Sequence, residues 1–197
     1  MTDTAHRPPP HPLLLQPVAY DHPEARRLTQ ALYQEQLGLY GFADDPTATP
    51  GSYFHPPDGL FLIARRGPMS VGCGGIRHLE PGTAEIKRMY VIPESRGTGA
   101  GRAILQRLED TAQRWNARQV VLETGAGNHA ALALYERAGY VRIEPYATGR
   151  DPQINRALSK RLRNGGSWEG GSAEQNRPPV RHPFVQTDST ACKGTFT

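Results

Sequence analysis

The chain has 197 residues, with 23 Lys and Arg against 19 Asp and Glu, a formal net charge of +4 and a pI near 9.3. That length suits one soluble domain with a sizeable core, and the longest leucine run, Leu13-Leu14-Leu15, is far too short to cross a membrane. The arginines are scattered and no basic run alternates with aromatics, which argues against nucleic-acid binding, whereas a modest positive balance suits a polyanionic ligand.

Residues 1–12, with Pro8-Pro9-Pro10 and Pro12, read as an extended, mobile arm ahead of a domain over 13–163. Residues 13–19 predict a first strand. Asp21 and Glu24 have capping-box spacing, and Ala25, Leu28, Leu32 and Leu39 recur at helical intervals, which starts a helix near Pro23. Residues 38–57 are rich in Gly, Pro, Asp and Thr and read as a long loop. The apolar run 60–64 predicts a buried strand, 69–77 its hairpin partner across Gly67-Pro68, and 83–92 the next strand, ended by Pro93. Ile104, Leu105, Leu108, Ala112 and Trp115 form an apolar stripe on a helix over 102–115. Val120-Val121-Leu122 reads as a central strand, Asn128 as a helix N-cap and Gly139 as the residue just past that helix. Residues 140–143 and 157–162 complete the sheet. Beyond Arg163, residues 164–197 carry Gly165-Gly166, Gly170-Gly171 and scattered Ser, Thr and Pro without a period, and are expected to be a disordered tail.

The richest stretch is Arg96-Gly97-Thr98-Gly99-Ala100-Gly101, between a predicted strand and a predicted helix. Its glycines allow a sharp turn with uncovered N–H groups, the helix start adds unpaired donors, and Arg96 adds a forked cation, so the junction suits a phosphate. A Walker loop would end Gly-Lys-Ser/Thr, and this one ends Gly101-Arg102-Ala103. A dinucleotide fingerprint matches Gly97 and Gly99, with Glu123 as the ribose-binding acid, but its third glycine falls on Arg102 and little ordered sequence follows for a second half.

The pattern Arg/Gln-x-x-Gly-x-Gly/Ala resembles the pyrophosphate loop of the GCN5-related N-acetyltransferases (GNAT), with Arg96, Gly99 and Gly101 at its fixed positions. Asn128, Ala131, Leu134, Tyr135, Gly139 and Tyr140 are similar to that family's second motif, and the resemblance extends over about residues 13–163. It implies an α+β fold: a mixed, mostly antiparallel sheet with helices on both faces. The implied activity is transfer of the acetyl group of acetyl-CoA to a primary amine by direct attack, with a small-molecule acceptor favoured over a protein. Arg96, Gly97, Thr98, Gly99, Ala100, Gly101 and Asn128 would bind the cofactor. The strand 83–92 would be splayed from 119–124, and main-chain groups of Met89, Tyr90, Val91 and Ile92 would pair with the pantetheine arm. A backbone N–H near Met89 or Tyr90 would stabilise the oxyanion. Tyr135 would stand at the cofactor sulfur and protonate the departing thiolate; its helical spacing with Ala131 and Ala138 equally suits a core aromatic.

A base must take a proton from the acceptor amine. Glu85 is the candidate, against the alternative of an exposed strand carboxylate neutralised by Lys87 or Arg88, and Glu123 is the reserve. The acceptor pocket is implied to lie between about 33–57 and 146–156, with Tyr33, Glu35, Tyr40, Tyr53 and Arg150 as contacts. The seven histidines show no metal-ligand spacing, so no metal is assigned. Cys73 and Cys192 read as free thiols of a reducing, cytoplasmic compartment, since no signal-peptide core is present, and Cys73 between glycines reads as a small core residue. Neither nucleic acid nor membrane is an expected partner; a homodimer is left open. Two other functions compete: a non-catalytic acyl-CoA-binding module or sensor, and a dinucleotide-dependent oxidoreductase.

Overall fold

The computed structural model describes residues 11–147, 151 and 153–163. Most of the expected N-terminal arm, the candidate contact Arg150 and the expected tail from Asn164 lie outside the described residues. In chain order the elements are β1 (Leu13–Pro17), α1 (Pro23–Tyr40), β2 (Gly59–Arg66), β3 (Met69–Glu80), β4 (Thr83–Val91), α2 (Ala100–Arg114), β5 (Gln119–Gly125), α3 (His129–Arg137), β6 (Val141–Ile143) and β7 (Asn155–Arg161). The strands form one seven-stranded sheet in the order β1-β2-β3-β4-β5-β7-β6. Among the described residues every strand pairing is antiparallel except β4 with β5, which is parallel.

The continuous apolar run of β2 is buried on both faces, as expected for a strand covered on each side. Leu62 and Ala64 join Ile104, Leu105 and Leu108 of α2 and Leu132 and Tyr135 of α3 in one core. Phe61 and Ile63 point the other way, into a second core with Ala25, Leu28 and Leu32 of α1 and with Tyr20, Phe54, Cys73 and Tyr90. Glycines make the α2 side thin: a Cβ on Gly74 would lie 2.8 Å from Ile104 Cγ2, so α2 packs directly onto the strand backbone.

Three boundaries differ from the sequence expectation. Helix α1 is capped by His22, whose Nδ1 accepts from the Glu24 amide at 3.1 Å, one residue past the expected Asp21. It then runs through Gly38 to Tyr40 and ends at Gly41 with φ 74°, so the loop begins later than composition suggests. That loop is also less open than expected. It holds 3₁₀ turns at Pro46–Ala48 and Gly51–Phe54, and the Arg88 guanidinium donates to Asp44 O, Asp45 O and Thr49 Oγ1. Helix α2 starts two residues earlier than expected, at Ala100, because Gly99 at φ 86° turns the chain into it.

The feature that creates a site is in the centre of the sheet. Strands β4 and β5 share only the rungs Thr83–Gln119, Ala84–Val120, Glu85–Val121 and Ile86–Leu122, although both strands continue. A bulge marks the parting, where Arg88 has φ 56° and the β3–β4 register shifts between Cys73 and Gly75. Past it, Ile92 N bonds to Val71 O at 3.0 Å. Alternation therefore turns the polar main-chain groups of Val91 away from β3, into the gap.

Candidate active site

At the wide end of the gap lies the glycine loop. Gly97 and Gly99 have φ of 74° and 86°, a region where other residues are strained. The first intrahelical bond of α2 runs from Ala103 N to Gly99 O at 3.0 Å. The amides of Ala100, Gly101 and Arg102 therefore precede the ladder and face outward as donors. Gly101 is less constrained: a Cβ there would meet Leu134 Cδ2 of α3 at 3.4 Å, an ordinary contact. The loop residues named from sequence come together, but the Arg96 side chain does not point at an anion site. Its Nε donates to Val91 O at 3.0 Å, and its terminal nitrogen pairs with Glu35 of α1. Arg66, at the end of β2, was not expected here. Its guanidinium donates to Thr98 O at 3.1 Å and Thr98 Oγ1 at 3.3 Å, which holds the loop and adds a cation beside it.

Tyr135, on α3, reaches the same gap from the helical side. Its ring is buried in the core and meets Tyr140 edge-on at 5.7 Å, so the core reading describes its packing. Its hydroxyl donates to Met89 Sδ at 3.7 Å, a weak acceptor on the strand that borders the gap. Burial pushes its pKa well above 10, so the phenol carries its proton at neutral pH. Asn128 caps α3, its side chain accepting from Ala131 N at 3.1 Å, which leaves Oδ1 engaged in a structural bond. Tyr40 lies against Gly125 and Gly127, where a Cβ on Gly125 would collide with its hydroxyl.

Glu85 lies one rung before the parting, on the α1 face. It is buried, not exposed, and carries two ion pairs: Arg77 Nε at 2.7 Å on Oε2 and Lys87 Nζ at 3.0 Å on Oε1. Oε1 also accepts from the Tyr146 hydroxyl at 3.1 Å. Burial raises its proton affinity, but Lys87 and Arg77 outweigh burial and hold the carboxyl below its ordinary value. A fully engaged carboxylate of low proton affinity suits charge pairing better than proton abstraction. The second cation is Arg77 and not Arg88, because Arg77 stands directly across the ladder from Glu85, while the bulge sends Arg88 to the loop after α1. Glu123 follows the last shared rung on β5, on the same face. Cys73 is fully buried with its thiol pushed up to about 12 by burial, as befits a core residue. Among the described residues no group of His, Cys, Asp and Glu is arranged to hold a metal ion, and no helix is long and apolar enough to cross a membrane.

The profile of the acetyltransferase (GNAT) family matches residues 24–140. The chain belongs to the GNAT family. An IAA acetyltransferase of Azospirillum brasilense is 42% identical over 98 residues, a stretch covering 49% of this chain and 64% of that protein. A chain of Klebsiella pneumoniae, provisionally named an acyl-CoA N-acyltransferase, is 31% identical and superposes with a TM-score of 0.63 over 76% of this chain and 97% of its own. A GNAT family acetyltransferase of Elizabethkingia anophelis, solved with acetyl-CoA bound, shares the fold at a TM-score of 0.56 and 18% identity, covering 76% and 98% of the two chains.

GNAT membership and the mixed sheet exclude the dinucleotide reading, which needs a parallel, doubly wound sheet. Of the residues now seen at the site, Arg66, Arg77 and Tyr146 escaped sequence reasoning as partners of loop and gap. Arg66 is separated from Thr98 by 32 positions and Tyr146 from Glu85 by 61. No local pattern connects residues so far apart.

Proposed function

We propose that the protein transfers the acetyl group of acetyl-CoA to the primary amine of a small molecule by direct attack. The observation that carries this reading is the parting of β4 and β5 after Ile86 and Leu122, with the glycine loop at one end and the Tyr135 phenol beside it. The outward amides of Ala100, Gly101 and Arg102, with Arg96, would hold the pyrophosphate. Arg96 must then exchange Glu35 for the anion or bridge the two. Main-chain groups of Met89 and Val91, turned into the gap, would pair with the pantetheine arm as a strand would. Of the two amides expected as oxyanion donors, the same alternation favours Met89 over Tyr90, and it would donate to the acetyl oxygen as it gains charge.

The chemical step forms a C–N bond and breaks the C–S bond. The amine attacks neutral, loses a proton to Glu123 directly or through water, and the departing sulfur takes the Tyr135 proton, which exchange with solvent restores. The ionised, doubly paired state of Glu85 argues against Glu85 as the base, and Glu123 is the reserve candidate. A small acceptor is favoured by the name of the Azospirillum relative, IAA acetyltransferase. The test combines calorimetric titration with acetyl-CoA and a free-thiol release assay over amino acids, polyamines, aminoglycosides and peptides. Binding with thiol release on one amine class is expected; binding without release on any amine would make the protein an acyl-CoA-binding module.

A further inference from the structure

On the α1 face, the mouth of the gap carries an ordered pattern of charge. Ile86 and Leu122 form the last shared rung, so Lys87 and Glu123 are the first residues beyond it, on opposite strands and the same face. Lys87 folds back onto Glu85, and Arg77 reaches the same carboxylate from β3. Glu85 is buried at 4% exposure, whereas Arg77 and Lys87 remain 20% and 27% exposed. The anion is thus beneath and the cations are above it. Arg77 contacts Glu85 through Nε, so its forked end is not the part that holds the carboxylate. The guanidinium is further fixed by the Tyr53 ring, 4.1 Å from its central carbon. Tyr146 closes the other side by donating to Glu85 Oε1.

Burying a carboxylate is costly unless it is well paired, and here the pairing presents two oriented cations toward the face where an acceptor must approach. Two cations stand over the single Glu85 carboxylate, on the face of the sheet that also carries Glu123. A simple ammonium ion would be repelled from the Arg77 and Lys87 side. We propose that the acceptor is an amine that also carries an anionic group, an amino acid or a close analogue, with Arg77 and Lys87 holding the anion while the amine faces Glu123 and the gap. The fork of Arg77 matches a carboxylate in two-point geometry, and Lys87 supplies a point charge beside it.

This inference rests on the acetyl-transfer reading, and matched acceptors separate the two. Thiol release is measured for a panel of amino acids, their carboxyl amides and their decarboxylated amines, with acetyl-CoA binding followed in parallel. A preference of about tenfold or more in kcat/KM for the free acid is expected, the value of a charge-assisted hydrogen bond. Lys87→Met, which leaves Arg77 and Tyr146 on Glu85, should lower that preference about tenfold through KM, without changing acetyl-CoA affinity. Arg77→Gln should do the same and Arg77→Lys restore part of it; thermal melts identify any variant that fails to fold, and the Lys87 variant then decides. Equal or faster turnover of the decarboxylated amines by the wild type would overturn the proposal, as would Lys87→Met slowing acid and amine by one common factor. Absence of release with every amine, while acetyl-CoA still binds, would overturn the transfer reading and this inference with it.

Discussion

Burial acts alike on Tyr135 and Glu85, raising the proton affinity of each, yet they end in opposite states because only Glu85 has cations beside it. Tyr135 stays neutral with a proton to donate. If that proton goes to the departing sulfur, Tyr135→Phe should lower turnover roughly 10²–10⁴-fold, the usual worth of general acid–base catalysis. The ring and its packing are kept, so melting temperature and acetyl-CoA affinity should barely change. Rates within about threefold of wild type, with chemistry rate-limiting, would return Tyr135 to a packing role. Glu85 is ionised and paired, and its folded pKa lies below the ordinary 4.5. A depressed carboxyl stabilises the fold fully above its unfolded pKa, and the contribution is lost as pH falls through the lower folded value. Urea melts should therefore show Glu85→Gln less stable by about 1.5–3 kcal/mol at pH 7, the range for hydrogen bonds to charged groups. The difference should shrink as pH falls below 4.5; a pH-independent difference would mean that the ion pairs add nothing.

At the scale of elements, the junction from β4 to α2 is a backbone device. Gly99 holds φ 86° and its amide neighbours point outward. Gly99→Val forces a branched side chain into a left-handed conformation and across the anion path, and calorimetry should find no acetyl-CoA binding in a protein that still folds. Arg96→Ala should weaken binding by about 1.5 kcal/mol, the lower end for a charged hydrogen bond, because Arg96 already has Val91 O and Glu35 as partners. Unchanged affinity in the Gly99 variant would remove the loop from the site.

At the scale of the whole molecule, the sheet order gives β7 more weight than its position near the chain end suggests. It stands between β5 and β6 and pairs antiparallel with both, and Leu162 N bonds to Arg118 O at 2.9 Å just beyond it. Ending the chain before Asn155 would strip the ladder from β5 and remove Leu158 and its packing from the core, and no cooperative melt is expected. Ending it after Arg163 keeps all seven strands of the described sheet, and we expect the same melting temperature and acetyl-CoA affinity as the full chain. A loss of either would assign a structural or binding role to the segment beyond.

Much of this protein was legible because local backbone chemistry leaves a local trace. Two left-handed glycines before a helix, the capping Asn128, the Gly139 stop and the doubly buried run in β2 are each demands on a few consecutive residues, and the second motif travels with them. For Glu85 the sequence left two roles open, a base or a carboxylate neutralised by Lys87 or Arg88, and the structure supplied the pairing with Lys87. Only the tertiary structure decided the rest. The bulge at Arg88 took that cation off the strand and gave it to Asp44, Asp45 and Thr49. Cross-strand register placed Arg77 on Glu85 instead. Chain folding brought Arg66 to Thr98, Glu35 to Arg96 and Tyr146 to Glu85. These contacts depend on register, twist and the angle of one element on another, which are set by the packing of the whole sheet and leave no periodic signature in the chain.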